Sequence, residues 1–418
     1  MRFLYSLTTA AGLAFSSLRA HKLRSFLTLL GVIIGVCSVV IVGAAVDGLG
    51  TYAEQTTAKT LGSNSYQIGQ LLQLGRMSRK ERFDRLKYNK RIRAEDYAFL
   101  KQATGGQILY SPYRTRAQDI KHGEQIIEGV QIVGVAAAMA DIREVDMSEG
   151  RFFTDQEEQN RIQAAVIGED VRTGFFPDST PLGKQIKIAG YDFTVVGVQE
   201  KIGSGGGGGG QSQDLVVFVP ATVYNRMFGP EPSMLLFARA RPAEGLSLDQ
   251  ALERTRVALR THFKARPGKD DNFDTLTPDA IREFIGRVIG LISAAVVPVT
   301  AISLVVGGIV IMNIMLVSVS ERTKEIGLRK SLGARHSDLM LQFLMEAVFL
   351  SAFGGATGLG LGFLITLIAA QLASFPLAVS PFYIFLALFV SSAVGVASGW
   401  YPASRAARMD PVEALRAE

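Results

Sequence analysis

The chain has 418 residues, of which 48% are hydrophobic and 20% are charged, and this balance predicts a membrane protein with a soluble insert. The formal net charge of +6 fits the cytoplasmic ends of membrane helices and anionic lipid as readily as nucleic acid, and we expect no nucleic-acid partner. Cys37 is the only cysteine, which excludes an intramolecular disulfide.

The N-terminal region predicts a membrane anchor. Residues 1–25 combine basic side chains with apolar positions at helical spacing, which indicates a cytoplasmic interfacial helix. Residues 26–46 form an uninterrupted apolar run that is long enough to cross a bilayer, and we expect transmembrane helix 1 there. Because the basic flank precedes this run, the N-terminus is expected in the cytoplasm.

Residues 47–284 contain no further spanning run and alternate short strand patterns with turn residues, which predicts an α+β extracytoplasmic domain of one or two lobes. Helical patterns interrupt the strands at Glu95–Ala103 and Ser247–Phe263, the second with Ser247 and Gln250 at capping-box spacing. The predicted strands are Gln107–Tyr110, Gln125–Val135, Ala164–Ile167, Gln185–Ile188, Phe193–Val198, Leu215–Val219 and Met234–Ala238.

Two stretches of this domain have unusual composition. Gly203–Gly210 lacks the Gly-Lys-Ser or Gly-Lys-Thr ending of a phosphate-binding loop, so a mobile hairpin loop is the favoured interpretation. Arg76–Arg93 is rich in Arg and Lys with aromatic residues between them. A solvated loop is the leading interpretation there, and an anionic lipid, a glycan or a protein partner is the alternative.

A second membrane helix follows at 285–319, preceded by an outer stalk. Thr277 is suited to cap it, and Pro278 is suited to the first helical position. A continuous helix from there to Val319 would be roughly 60 Å long, twice the hydrocarbon thickness. We expect a rigid stalk, with a probable kink at Pro298.

Residues 320–338 form a short charged segment between two long apolar runs, and its basic side chains place it in the cytoplasm. Glu325 and Arg329 have the spacing of a helical ion pair. Leu328, Leu332 and Ile326 are expected to add apolar surface. The segment therefore resembles a small helix that a partner contacts, and the alternative is an ordinary charged loop.

The rest of the chain predicts transmembrane helix 3 at 339–372, an outer loop at 373–381, transmembrane helix 4 at 382–399 and a cytoplasmic tail at 400–418. Small residues repeat at intervals of four, which indicates close helix contacts. Asn313 and Glu346 are polar residues at membrane depth, and we expect an interhelical hydrogen bond for the first and a basic partner for the second. The expected packing residues are Gly31, Gly35, Gly354, Gly358 and Gly362.

Several motifs resemble those of the FtsX-like and MacB-type ABC transporter permeases. The main one is Ala301–Gly355, which contains Glu-Arg-Thr-Lys-Glu-Ile-Gly-Leu-Arg-Lys-Ser-Leu-Gly-Ala. The others are Trp400–Ala407, Asp410–Arg416, Gly150–Thr154 and Pro181–Lys184.

The resemblance implies an α-helical membrane protein with four transmembrane helices and a large periplasmic MacB-type α+β domain between helices 1 and 2. It also implies that residues 320–338 are the coupling helix that sits on an ATPase. The residues expected to contact the ATPase are Glu321, Arg322, Lys324, Glu325, Ile326, Gly327, Arg329, Lys330, Gly333 and Ala334.

The sequence contains no Walker A motif and no metalloprotease or nucleophile-elbow pattern, so we expect no enzyme activity, cofactor or metal in this chain. A separate ABC ATPase subunit carrying ATP and Mg²⁺ is expected, because MacB-type exporters fuse that domain ahead of the first crossing and here only about 25 residues precede it. The resemblance further implies a homodimer in the bacterial inner membrane, with both termini cytoplasmic, in contact with membrane lipid.

Three functions remain open at this point. The first is a permease that exports or extracts a substrate by mechanical transmission, with a periplasmic adaptor and an outer-membrane channel as possible partners. The second is an ABC-coupled regulator of a periplasmic enzyme. The third is a membrane-anchored sensor without an ATPase.

Overall fold

The computed structural model describes residues 22–62, 64–72, 74–202, 212–230, 232–373 and 379–416. The chain divides into two compact units, one formed by Met1–Tyr52 and Arg287–Glu418 and the other by Ala53–Gly286. The Gly203–Gly210 loop lies outside the described residues, and so does nearly all of the predicted interfacial helix at 1–25.

The helices and strands are numbered here in chain order. The helices are α1 Lys22–Leu61, α2 Arg79–Tyr88, α3 Ala94–Ala103, α4 Met139–Arg143, α5 Asp155–Gln159, α6 Glu169–Phe175, α7 Ala221–Phe228, α8 Leu248–His262, α9 Pro278–Glu321, α10 Thr323–Ser331, α11 His336–Ala373, α12 Pro381–Arg408 and α13 Pro411–Arg416. The strands are β1 Ser65–Gly69, β2 Ile108–His122, β3 Gln125–Val135, β4 Met147–Gly150, β5 Ala164–Ile167, β6 Gln185–Ile188, β7 Tyr191–Gln199, β8 Val216–Pro220, β9 Leu235–Ala240 and β10 Asp274–Leu276.

Four helices in the described part of the chain are long and apolar enough to cross a membrane, namely α1, α9, α11 and α12. Each is longer than the span predicted within it, because the helical hydrogen-bond pattern continues past the apolar run. Helix α9 is continuous from Pro278 through Pro298 to Glu321. The limits of the membrane within these helices stay predictions.

Glycines let α1 approach α9 closely. A Cβ placed on Gly31 would lie 2.6 Å from the Cα of Gly307, and a Cβ on Gly35 would lie 2.7 Å from the side chain of Leu304. Distances this short cannot be accommodated by a larger residue without a shift of the backbone or of Leu304. The small-residue repeat of α1 thus lies in a helix contact inside one chain.

The glycines of α11 form the matching contact with another side of α1. A Cβ on Gly358 would lie 2.7 Å from the carbonyl oxygen of Ile33, and a Cβ on Gly362 would lie 3.0 Å from Val40. Gly354 is looser, with 3.2 Å to Leu29. By contrast, nothing lies within 4 Å of a Cβ on Gly360, which points away from this contact.

The second unit is built on a single mixed sheet of ten strands in the described chain, in the order β10-β1-β9-β2-β3-β8-β5-β7-β4, with β6 pairing to β2 and β7. Strand β3 is parallel to β8, and β5 is parallel to β7. One apolar core lies under β3 and β5–β8 with α6 and α7. A second core, under β1 and β9, is covered by α3 and α8.

Several predicted elements agree with this fold. Strands β3, β5 and β6 begin and end at the predicted residues. Helix α8 begins after Ser247, whose hydroxyl accepts the backbone N–H of Gln250 in the predicted capping box. Strand β2 is a correction, because it continues from Ile108 to His122 through its pairing with β3.

The basic stretch Arg76–Arg93 is a second correction. A solvated loop was the leading interpretation, yet its central part is the ten-residue helix α2. Ser78 caps this helix by accepting the backbone N–H of Glu81 at 3.1 Å. No residue of α2 is buried.

Candidate functional site between the second and third long helices

The predicted coupling segment contains the short helix α10. It follows α9 directly, with Arg322 as the junction, and ends at Ser331, with Leu332 as its C-cap. Gly333 has a φ of 92°, a left-handed conformation that glycine adopts without strain and that commonly ends a helix. The sequence therefore turns sharply twice in a few residues and holds α10 between the ends of two long helices.

One side of α10 packs against the C-terminal helix α13. Ile326 is 1% exposed, and a Cβ on Gly327 would lie 2.8 Å from the Cβ of Ala414. The ammonium of Lys330 donates a hydrogen bond to the carbonyl oxygen of Met409 at 2.5 Å. Ile326 was expected to add apolar surface, and this is corrected, because it is buried in the core of the helical unit. Gly327 is buried against α13, and the contact of both residues with an ATPase stays a prediction.

The opposite side of α10 is open. Leu328 is 54% exposed and Leu332 is 80% exposed, and α13 adds Val412 at 64% and Leu415 at 49%. We call the exposed surface of these two helices the docking face. Its exposed members are Lys324, Glu325, Leu328, Arg329, Leu332, Val412, Glu413 and Leu415.

The charges of the docking face are arranged differently from the prediction. Glu325 and Arg329 do not form the predicted ion pair. The guanidinium of Arg329 instead donates to the side-chain carbonyl of Gln342 on α11 at 3.2 Å. Arg329 thereby ties α10 to α11, and the Glu325 carboxylate stays exposed on the docking face.

Arg322 connects the docking face to the interior of the helical unit. Its guanidinium lies 3.5 Å from the carboxylate of Glu346, whose side chain is 3% exposed. Arg322 is half-buried, at 26%. A carboxylate buried this deeply in an apolar helix needs a cationic partner, and the junction between α9 and α10 supplies it.

Asn313 is exposed on the surface of α9, and its side chain makes no hydrogen bond to another helix within the described residues. Its predicted interhelical hydrogen bond stays a prediction.

The remaining predicted contact residues divide between surface and interior. Glu321 and Gly333 are exposed, whereas Ala334 is half-buried and packs against the helical core. The resemblance also predicted that Pro411–Leu415 adds a turn that packs on the ATPase. The structure has helix α13 there, beginning at Pro411, and its contact with an ATPase stays a prediction.

The docking face combines apolar and charged side chains. Within the described residues, no group of three or more His, Cys, Asp or Glu side chains could hold a metal ion. The exposed members of the face are leucine and valine side chains and charges of both signs.

These features define a class of protein. The chain is a multi-pass membrane permease with four long apolar helices, a large α+β domain inserted between the first and second, and a short charged helix between the second and third. It belongs to the MacB-like and FtsX-like permease family of ABC transporters. Residues 25–258 match the MacB-like periplasmic core domain, and residues 299–411 match the FtsX-like permease C-terminal domain.

Curated relatives agree with this membership. The chain is 35% identical over 406 residues to the macrolide export ATP-binding/permease protein MacB of Bdellovibrio bacteriovorus, covering 97% of this chain and 61% of the relative. It is 37% identical over 415 residues to MacB 1/2 of Paracoccus denitrificans, covering 98% and 59%. The chain thus spans about 60% of the length of these relatives. The predicted resemblance is confirmed, and the family places the chain in the inner membrane.

A solved structure is similar to part of the chain. The periplasmic region of MacB from Actinobacillus actinomycetemcomitans matches with a TM-score of 0.42 and 16% sequence identity, over 55% of this chain and 95% of that one. This likeness is too distant to carry an argument about function.

Proposed function

We propose that this chain is the permease subunit of an ABC transporter in which ATP-driven motion is transmitted mechanically to the MacB-like domain, and that the docking face is where the ATPase binds. The observation that carries the proposal is the Arg322–Glu346 pair. It joins the junction of α9 and α10 to the interior of α11, so a force applied to the docking face reaches two long helices together.

The ATPase is proposed to carry ATP and Mg²⁺ on a separate subunit. The curated relatives are named as ATP-binding/permease proteins, which supports an ATPase of this kind as the partner. Leu328 and Leu332 would supply the apolar contact, and Lys324 with Glu325 would set its orientation through charge.

Helix α9 is proposed to carry the motion onward. It begins one residue after β10 of the MacB-like domain and continues without a break to Glu321, next to Arg322. Because a hydrogen-bonded helix transmits displacement along its axis, movement of α10 is expected to reach the end of the sheet. Since ABC ATPases act in pairs, we propose a homodimer with cytoplasmic termini, in which the second copy supplies a partner for the exposed Asn313.

The transported substrate is proposed to be handled by the MacB-like domain on the outer side of the membrane. Relatives of this chain are named for macrolide export, and we propose export or extraction of a substrate as the activity. A periplasmic adaptor and an outer-membrane channel are the further proposed partners.

Co-purification from native cells tests the proposal. Wild type is compared with Glu325→Arg/Arg329→Glu, which rearranges the charges of the docking face. We expect wild type to retain an ABC ATPase and this variant to lose it. The matched control is Lys187→Asp/Asp192→Lys, because this exposed pair in the MacB-like domain is 3.7 Å apart and distant in sequence from the docking face. Loss of the ATPase in the control as well, or its retention in the first variant, would overturn the proposed interface.

A further inference from the structure

Helix α2, Arg79–Tyr88, is a basic helix on the MacB-like domain that the proposed function does not use. Its sequence is Arg-Lys-Glu-Arg-Phe-Asp-Arg-Leu-Lys-Tyr, and none of its residues is buried. Phe83 is 68% exposed and Leu86 is 38% exposed. Large apolar side chains beside a cluster of cations require an explanation when they face solvent.

The domain holds one side of α2. The guanidinium of Arg85 lies 3.4 Å from the carboxylate of Asp274 in β10, and the hydroxyl of Tyr88 donates to the carbonyl oxygen of Asp270 at 2.9 Å. At the end of the helix, the amide of Asn89 donates to the carboxylate of Asp274 at 3.0 Å and to the carbonyl oxygen of Gln70 at 2.7 Å. The helix is therefore fixed to the edge strand β10 and to the segment that follows β1.

The helical repeat separates the two faces of α2 by charge. At about 100° per residue, Glu81 and Asp84 lie on the same side as Arg85 and Tyr88, which contact the domain. The opposite side carries no acidic residue. We call it the basic face, and it consists of Arg79, Lys80, Arg82, Phe83, Leu86 and Lys87. Phe83 and Leu86 lie at its centre, with cations on both flanks.

A short stretch of chain joins the anchor of α2 to the predicted second membrane span. This anchor, Asp274, is the first residue of β10, and α9 begins at Pro278. Arg287 is the last charged residue before the apolar run that starts at Val288. Ten helical residues span about 15 Å, so the covalent path from the anchor of α2 to the start of the hydrocarbon-spanning run is short.

We propose that the basic face binds the anionic phospholipid headgroups of the membrane that this chain spans, with Phe83 and Leu86 inserted at the level of the headgroups. A short helix with cations flanking an apolar centre is the pattern of a helix lying in the membrane interface. Anionic lipid attracts such cations and releases them at high salt. The contact would hold β10, the strand that precedes α9, at a fixed distance from the membrane surface. This lipid contact is separate from the proposed coupling to an ATPase.

A fluorescent label on the basic face tests the proposal in the full chain. Cys37 is replaced by Ser, Phe83→Cys is labelled with an environment-sensitive dye, and the protein is reconstituted into nanodiscs. We expect a blue-shifted emission that is quenched by spin-labelled lipid when phosphatidylglycerol is present and not in pure phosphatidylcholine. Raising the salt concentration from about 0.1 M to 1 M should reverse both the blue shift and the quenching, because the screening length falls from about 10 Å to 3 Å.

Two variants make the test specific. Ile126→Cys is the control label, because this residue is 51% exposed on the β2–β3 hairpin, at the far end of β2 from β9. Replacing Arg79, Lys80, Arg82 and Lys87 by Gln should weaken the lipid contact on the order of five-fold for each cation, with unchanged thermal unfolding because all four side chains are exposed.

Three results would overturn the proposal. They are equal quenching at Phe83→Cys and Ile126→Cys, equal quenching in the two lipids, and full quenching in the four-glutamine variant. A label that is shielded only in native membranes that contain partner proteins would also contradict it and would assign the basic face to a protein. None of these readouts depends on an ATPase.

Discussion

The guanidinium of Arg322 lies 3.5 Å from the carboxylate of Glu346, and this ion pair joins the start of the docking helix α10 to the buried side of α11. Its two members come from different parts of the chain. Arg322 follows the last residue of α9, and Glu346 is buried in the core of the helical unit.

Removing one member of this pair should be costly. Arg322→Met leaves the Glu346 carboxylate buried without its cation, and we expect a loss of about 3 kcal/mol in the free energy of unfolding. Adding Glu346→Gln should recover most of that loss, because no buried charge remains. Thermal unfolding of the purified protein measures both. Lys324→Met, at an exposed position of the same helix, is the control and should unfold like wild type. An Arg322→Met protein as stable as wild type would show that the ion pair does not contribute to the free energy of unfolding.

Helix packing predicts a difference between two neighbouring glycines. Gly358→Ala places a methyl group 2.7 Å from the carbonyl oxygen of Ile33, whereas Gly360→Ala meets nothing within 4 Å. We expect Gly358→Ala to lower the stability by about 1–3 kcal/mol, because the backbones must separate. Gly360→Ala should be neutral or slightly stabilising, since alanine favours the helix. Equal thermal midpoints for the two variants would contradict the observed contact between α1 and α11.

A buried hydroxyl cluster in the MacB-like domain gives a third prediction. The hydroxyl of Thr255 lies 2.6 Å from the phenol oxygens of both Tyr66 and Tyr110. Burial raises the pKa of Tyr66 and of Tyr110, so both phenols stay protonated. Thr255→Val removes the shared partner and should cost about 2 kcal/mol.

The conservative variant separates hydrogen bonding from packing at this position. Thr255→Ser keeps the hydroxyl and removes a methyl group, so it should cost about 1 kcal/mol. Both values can be measured by thermal unfolding. If the serine variant were the less stable of the two, packing rather than hydrogen bonding would be the dominant role of Thr255.

The pH dependence of stability should report on Glu157. Its carboxylate accepts two hydrogen bonds from Arg151 at 2.8 Å and the backbone N–H of Thr154, and these donors lower its pKa to about 2. A pKa that is lower in the folded state stabilises the fold above the unfolded value of about 4.5. This contribution is lost as the pH falls from about 4.5 toward 2.

The comparison of wild type with Glu157→Gln measures this contribution. Because Arg151 is largely exposed, we expect a difference of only about 1 kcal/mol at pH 7, shrinking toward zero near pH 2. Arg151→Gln should give a similar loss, and the double variant should lose little more than either. A difference that does not depend on pH would exclude the carboxylate as its source.

Local pattern predicted the strands that turn residues separate from their neighbours. Strands β3, β5 and β6 agree with the prediction because turn residues bound each apolar run. Helix α2 could not be predicted in the same way. It has no apolar stripe that faces the domain, and its position depends on Asp270 and Asp274, which are distant in sequence.

The candidate site, too, could be predicted from the sequence only in part. The charged segment and its short helix could be predicted from composition and glycine positions. Which residues face outward could not be predicted, because tertiary packing decides it. Ala414 lies over Gly327, and Ile326 belongs to the apolar core of the helical unit, while Leu328, two positions later, is exposed. The pairing of Arg329 with Gln342 also requires the fold, since α11 must return beside α10.

The most direct test of the account is site-specific photocrosslinking from the docking face in native cells. A photoreactive phenylalanine analogue replaces Leu332, which is 80% exposed on that face, or Leu361, which is 46% exposed on α11 and serves as the control. Mass spectrometry then identifies the crosslinked protein by its Walker A peptide. We predict an ABC ATPase crosslinked from position 332 and none from position 361. An ATPase crosslinked equally from both positions, or from neither while it is present in the cells, would contradict the assignment of α10 and α13 as its docking face.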